Sequence, residues 1–277
     1  MRIKKLVNAL KEKYLSRTNR IVKVNFKGRQ LHVVRGSLRS KVDRDDHWLF
    51  LLLSNSQTFF DVGANMGYIS LLSFLINPKR RVFLVEPNRE ALKVAILNML
   101  YNDSISQCTF YEAFASDQNF SETKLYTVGA GAAGSMYKSH AESAEQLNSF
   151  QVVRTITLDY LMEKYSTIPD FVKIDVEGAE RFVLNGSRSL ASRKSTRFFV
   201  EMHSNVELTM VENATQVLTW CQEVGYKAWY LKEHGELNSP GQIQTRGRCH
   251  LLLQPSEWEY PSFLNGVKEN SELPPVL

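Results

Sequence analysis

Cysteine is scarce in this 277-residue chain: Cys108, Cys221 and Cys249 are widely spaced and odd in number. That arrangement offers neither a disulfide framework nor zinc-ligand spacing, and a reducing compartment is the default. Long apolar runs are also missing. The longest, Trp48-Leu49-Phe50-Leu51-Leu52-Leu53, falls far short of the roughly 20 residues that cross a bilayer as a helix. Charges recur every few residues near the N-terminus, which leaves no signal-peptide core. A mitochondrial presequence is disfavoured because the stretch is Lys-rich and Ser-poor. The expected location is cytoplasmic. Acids are nearly absent from residues 1–44, where fourteen basic side chains face only Glu12 and Asp43, a net of +12. The remainder carries twenty basic and twenty-seven acidic groups, a net of −7, so the overall +5 hides an acidic body with a basic arm. Such a body is not that of a protein coating nucleic acid through one continuous basic surface.

What the chain does have is apolar mass, 43% hydrophobic and 11% aromatic residues, enough for a sizeable core. Ile3, Leu6, Val7, Leu10 and Tyr14 recur at helical spacing within the arm, and two alternating stretches at 21–27 and 31–35 read as a hairpin. A helix over 45–54 feeds the main body. Beyond it, apolar strands at 57–62, 81–86, 108–115, 170–175 and 196–203 alternate with helices at 66–76, 89–101 and from 175 to about 190. Near-continuous apolar strands of this kind predict a parallel sheet covered on both faces. A helix at 214–224 and strands at 226–231 and 250–254, with no helix between those two strands, add an antiparallel edge. The expected division is an extension 1–44, a body 45–255 and a partly ordered tail 256–277. A Gly/Ala/Ser-rich segment, 128–150, is expected to be a lid over the site.

Chemistry gathers at strand ends. Phe59-Phe60-Asp61-Val62-Gly63-Ala64-Asn65-Met66-Gly67 is a buried strand running through a turn into a helix. Gly63 and Gly67 permit a tight turn and close ligand approach, and the helix start supplies free N–H groups. Glu86 ends the next strand, where an acid accepts from ribose hydroxyls. The Gly-x-Asn-x-Gly spacing lacks the full dinucleotide cradle, and Asp61 suits an ammonium better than a phosphate. S-adenosyl-L-methionine therefore fits better than a nicotinamide cofactor. Asp175 and Glu177 follow one strand, Glu201 and His203 end another, and all four are expected to converge at carboxyl ends.

These pieces resemble the FkbM-type family of S-adenosylmethionine-dependent methyltransferases. The matching residues are Phe60-Asp61-Val62-Gly63-Ala64-Asn65-Met66-Gly67, Val85-Glu86-Pro87-Asn88 with Asn98 and Asn102, Ala115-Ser116-Asp117, and Thr157-Leu158-Asp159. Val172-Lys173-Ile174-Asp175-Val176-Glu177-Gly178-Ala179-Glu180 and Val200-Glu201-Met202-His203 complete the series. The resemblance covers about residues 57–205 and implies a class I, Rossmann-like, seven-stranded α/β fold and O-methyl transfer to sugars, lipids or natural products. It implies that Asp61, Gly63, Asn65 and Gly67 line the methionine portion of the cofactor, Glu86 the ribose, and that Ser116 belongs to the same set.

A hydroxyl acceptor holds its proton near pH 7, so a base or a metal is useful. His203 is the natural base candidate, while Asp175, Glu177 and Glu201 orient the acceptor or bind a divalent ion; metal dependence stays open. An RNA methyltransferase and a non-catalytic cofactor-binding module are the alternatives from other classes. The arm, residues 1–18 above all, admits peripheral contact with an anionic membrane, packing on the body, or, less favoured for want of a second basic face, nucleic-acid binding.

Overall fold

Five strands form the parallel centre of one sheet. They are β3 (Thr58–Val62), β4 (Arg81–Val85), β5 (Cys108–Tyr111), β9 (Phe171–Ile174) and β10 (Arg197–His203). The computed structural model describes residues 21–39, 45–126 and 150–274. The helix expected over 2–15, and the Gly/Ala/Ser-rich segment as far as residue 149, lie outside them. In spatial order the sheet runs β12-β11-β13-β10-β9-β3-β4-β5, with β11 at Tyr226–Tyr230, β12 at Gly235–Glu236 and β13 at Arg248–Pro255. The seven strands read from the sequence are all present. The antiparallel strand β13 lies between β10 and β11 rather than at the edge, and the two-residue β12 adds an eighth, outermost strand.

Sequence alternation along β3 shows how the sheet is covered. Phe60 and Val62 enter one cluster of buried side chains, while Phe59 enters the other. Alternate residues of a strand point to opposite faces, so the two clusters lie on the two faces of the sheet. Helices α1 (Asp46–Ser54), α2 (Tyr68–Ile76) and α3 (Arg89–Tyr101) contribute to the second cluster. Helices α4 (Leu158–Tyr165), α5 (Glu180–Asn185), α6 (Arg188–Ser192) and α7 (Met210–Val224) contribute to the first.

Several boundaries differ from the sequence reading for identifiable reasons. The third strand stops at Tyr111; Phe114–Ala115 (β6) turns away to pair with β8 (Phe150–Ile156), which also pairs with β7 (Glu122–Tyr126). This second sheet of three strands was missed because β7 and β8 flank a loop-like segment and each buries only its last two residues, too few for an apolar run. The helix expected up to about residue 190 breaks at Gly186, where a Cβ would lie 2.0 Å from the Ser116 carbonyl oxygen. Helix α7 begins four residues early because Thr209 and Glu212 form a capping box.

Within the extension, the described residues 21–39 pack against the body. Strands β1 (Ile21–Phe26) and β2 (Arg29–Val34) form the expected hairpin, and Leu31 and Val33 are buried in the same cluster as Trp48. Asn98 on α3 accepts from Val34 N–H at 2.9 Å and donates to the Met66 carbonyl at 2.9 Å. Asn102 exchanges hydrogen bonds with both main-chain groups of His32. The tail, expected to be only partly ordered, buries Leu264, Val267 and Leu273 against the same cluster.

Candidate active site

Strands β3 and β9 are neighbours, and the sheet order runs outward from them in opposite directions. The crevice beyond their carboxyl ends is the topological switch point, where open α/β sheets bind ligands. Gly63, with φ 76°, crosses directly beside β9: a Cβ there would lie 1.8 Å from the Asp175 carbonyl oxygen. Only glycine fits, because both the left-handed backbone and the contact exclude a side chain. Gly67 caps α2 in the left-handed region, and Asn65 adopts φ 47° between them.

Two cavities open at this crevice and share Gly63, Asn65, Asp175 and Glu177 as a common wall. The smaller, about 60 Å³, is lined also by Glu86, Pro87, Phe114 and Ala115. The larger, about 210 Å³, adds Ser37, Arg39, Tyr68, Lys173, Glu201 and Arg248. Glu86 accepts from Asn65 N–H and Asn88 N–H, each at 2.8 Å. Burial pushes its carboxyl up to about 7, against the pull of those two N–H groups. Asn65 Oδ1 is buried without a hydrogen-bond partner, an unmet acceptor on a residue that lines both cavities. The cradle at Gly63, the strand-end carboxylate and this orphaned oxygen fit a ribose-bearing cofactor with an ammonium group.

Asp61 and Ser116 differ from expectation. Asp61 is wholly buried, with Oδ2 accepting from Ser70 at 2.7 Å and Oδ1 3.7 Å from the Lys173 ammonium. The parallel register places Asp61 beside Lys173, so its charge is spent on that lysine, and it lines neither cavity. Ser116 uses its N–H to hold the Ile156 carbonyl, and its hydroxyl donates to Asp117; Phe114 and Ala115 form the cavity wall instead.

The four residues expected to converge do so. Lys173 Nζ donates to Asp175 Oδ2 at 3.1 Å and to the Gly63 carbonyl at 3.3 Å. His203 Nε2 lies 3.5 Å from Glu177 and from Glu201 and 3.9 Å from Asp175, while Nδ1 sits 2.9 Å from Glu180. Burial alone would lower the pKa of this ring, yet Glu180, Glu201 and Glu177 hold it well above the ordinary histidine value. The imidazolium, the form this shift favours, has no lone pair to receive a proton, which bears against the base role expected of His203; what the geometry gives the ring is contact with four carboxylates. Burial and then Glu201 push Asp175 up to about 6, against Lys173 and His203. Burial also opposes the charge of Glu201, but His203 above all holds it well below the usual carboxylate range.

Glu180, Arg39 and Arg248 were not singled out by sequence. Glu180 is fully buried, taking Gly178 N–H and Asn213 as well as His203. Its signal was present in the Glu-Gly-Ala-Glu run. Arg248 meets Glu201 at 2.9 Å because β13 pairs with β10, and no local pattern announces that pairing. Among the described residues, two sets of side chains bring metal-ligating atoms within 4.8 Å of one another, Asp175–Glu177–His203 and Asp45–Glu201–His250.

Among solved structures, the chain is similar to methyltransferase FkbM from Methylobacillus flagellatus KT, at 17% identity over 72% of this chain, with a TM-score of 0.45. It spans 44% of that protein's length. It is also similar to precorrin-6y C5,15-methyltransferase from Geobacter metallireducens GS-15, at 13% identity over 85% of this chain and 97% of that one, with a TM-score of 0.43. A third likeness is to an S-adenosylmethionine-dependent O-methyltransferase from Thermotoga maritima, at 11% identity over 91% and 83% of the two chains, with a TM-score of 0.42. No curated protein matches the sequence. The family model for the methyltransferase FkbM domain matches residues 61–228, more than half of the chain and all of the crevice except β13 and the extension. The chain therefore belongs to the FkbM family of S-adenosylmethionine-dependent methyltransferases.

Proposed function

We propose that the chain moves a methyl group from S-adenosyl-L-methionine to a hydroxyl oxygen of a sugar, glycolipid or natural-product acceptor, with Asp175 as the base. The observation that carries this reading is the place of Asp175, on the shared wall of both cavities with a carboxyl brought to about 6. A base with a pKa near the working pH is both charged and able to take a proton.

Glu86 would accept from the ribose hydroxyls and Asn65 Oδ1 from a further donor, while Gly63 lets the ligand meet the main chain. When bound, the cofactor supplies an electrophilic methyl carbon on a cationic sulfur, which leaves as a neutral thioether. The chain's own residues align the acceptor oxygen and receive its proton. As the oxygen bonds to carbon, its proton passes to Asp175, and from there to water. Lys173 fixes Asp175 Oδ2 and opposes the rise in its pKa, so that a useful fraction is ionised at neutral pH. His203, anchored by Glu180, keeps Glu177 and Glu201 beside Asp175 and acts as a positioning residue.

The test is mass spectrometry of glycans and lipids from cells with and without the gene, followed by transfer of a labelled methyl group to the species found. A hydroxyl-bearing species heavier by one methylene unit, present only with the gene, is expected. Label entering RNA, or cofactor binding with no acceptor labelled at all, would overturn the reading.

A further inference from the structure

His250 stands on β13 directly opposite Glu201 on β10. Its ring lies between Phe199, stacked at 5.5 Å, and Trp48, tilted at 5.7 Å. The side chain is 1% exposed, and neither ring nitrogen has a hydrogen-bond partner. Leaving a buried polar atom unmet costs roughly 1–3 kcal/mol, so two on one ring need a physical explanation.

The neighbours show the same deficit. Asp45 occupies the N-cap position of α1 but makes no capping hydrogen bond. Its Oδ1 meets Arg39 at 3.3 Å, while Oδ2 is buried without a partner. Glu201 Oε1 meets Arg248 at 2.9 Å, and Oε2 lies 3.8 Å from His250 Nε2, too far for a hydrogen bond. Each carboxylate thus gives one oxygen to an arginine; Glu201 holds the other near the imidazole, and one carboxylate oxygen of Asp45 lies within 4.8 Å of both other ligand atoms.

We propose that Asp45, Glu201 and His250 form a buried site for one divalent transition-metal ion, which ties the segment before α1 to the β10–β13 pair beneath the larger cavity. Donors about 2.0–2.2 Å from one ion are at most about 4.4 Å apart. The 3.8 Å between Glu201 and His250 falls inside that limit, and the full set, within 4.8 Å, needs to close by only a few tenths of an ångström. One imidazole nitrogen with two carboxylate oxygens suits Mn²⁺, Fe²⁺ or Zn²⁺, whereas Mg²⁺ and Ca²⁺ prefer oxygen alone. The site is separate from Asp175–Glu177–His203, whose histidine already has Glu180 on Nδ1. Arg39 and Arg248 both line the larger cavity and both hold ligand carboxylates. Occupancy therefore fixes the wall on which an acceptor would rest.

The test uses the full chain, stripped with chelator and equilibrated separately with Mn²⁺ and Zn²⁺. One tightly held equivalent is expected, with a rise in Tm of roughly 5 °C at a hundredfold excess over Kd. His250→Gln and Asp45→Asn should each weaken uptake at least tenfold and lose the Tm rise, while Asp175→Asn and Glu177→Gln retain both. X-ray absorption at the Zn edge of the wild-type protein should show nitrogen and oxygen neighbours including imidazole and no sulfur, a readout that does not depend on any variant folding. No uptake by about 1 mM metal, uptake unchanged in His250→Gln, or a sulfur shell would each overturn the proposal.

Discussion

At the residue scale, Glu86 and Asp175 carry carboxyl groups whose burial moves them toward neutrality. Glu86 shows the sign most simply. Its carboxyl is pushed up to about 7 in the folded protein, and ligand hydroxyls bind the charged form as donors. Cofactor affinity should therefore weaken as pH falls from 8 to 6, by at most about tenfold per unit. Glu86→Gln should remove the slope and lower affinity about 10–100-fold, the worth of a hydrogen bond to a charged group. Calorimetric titration across that range checks both; a flat profile in the wild type would remove the ribose assignment. Asp175→Asn should lower kcat about 10²–10⁴-fold while the cofactor Kd stays within a few-fold, and full turnover in that variant would end its role as base. His203 was a reasonable base on its type alone. What stands against that role is the set of four acids around its ring, among which Glu180, called out by no periodicity, makes the shortest contact.

At the scale of elements, the crevice depends on two close approaches. Gly63 packs on the Asp175 carbonyl, so Gly63→Ala must push β3 and β9 apart. A loss of about 2–4 kcal/mol in denaturant unfolding is expected, with cofactor binding lost as well. The second approach is the clamp of α3 on the extension. Asn98→Ala would leave the Val34 N–H and the Met66 carbonyl without their side-chain partner. A cost of about 2–3 kcal/mol should follow, measurable in the same unfolding experiment. The strands and helices that make the crevice were legible because buried parallel strands leave long apolar runs. The β6–β8–β7 sheet was not, because a Gly/Ala/Ser-rich insertion reads as loop and gives no account of what its flanks pair with.

At the scale of the molecule, the extension is charged unlike the body, yet its hairpin packs into that body. The hairpin places Leu31, Val33 and Val34 among buried residues, and the segment after it brings Ser37 and Arg39 to the larger cavity. Burial of three such side chains is worth about 5–9 kcal/mol. Removing residues 1–34 should therefore lower the thermal midpoint by roughly 10–20 °C, as differential scanning fluorimetry would report; an unchanged midpoint would show the hairpin to be an appendage. The basic residues 1–18 pose a different question. Co-sedimentation of the full chain and a 1–18 deletion with anionic vesicles, with and without salt, separates membrane contact from packing on the body, since screening releases only the former. Equal pelleting of both chains removes the membrane reading.

The sequence by itself determined the sheet, the cofactor turn and the family. These follow from local patterns: apolar runs of strand length, glycines where a left-handed turn is needed, and an acid at a strand end. It also brought Asp175, Glu177, Glu201 and His203 to one edge, because strand ends in a parallel sheet share a side. Only the tertiary structure decided what those groups meet. Protonation depends on burial and on charges that arrive from other strands, and the partners Lys173–Asp61, Glu201–Arg248 and Glu201–His250 are set by cross-strand register. Register between segments about fifty to a hundred residues apart is not written in either segment, so the contacts on which the proposed base and the proposed metal ligands rest became readable only once the strands were paired.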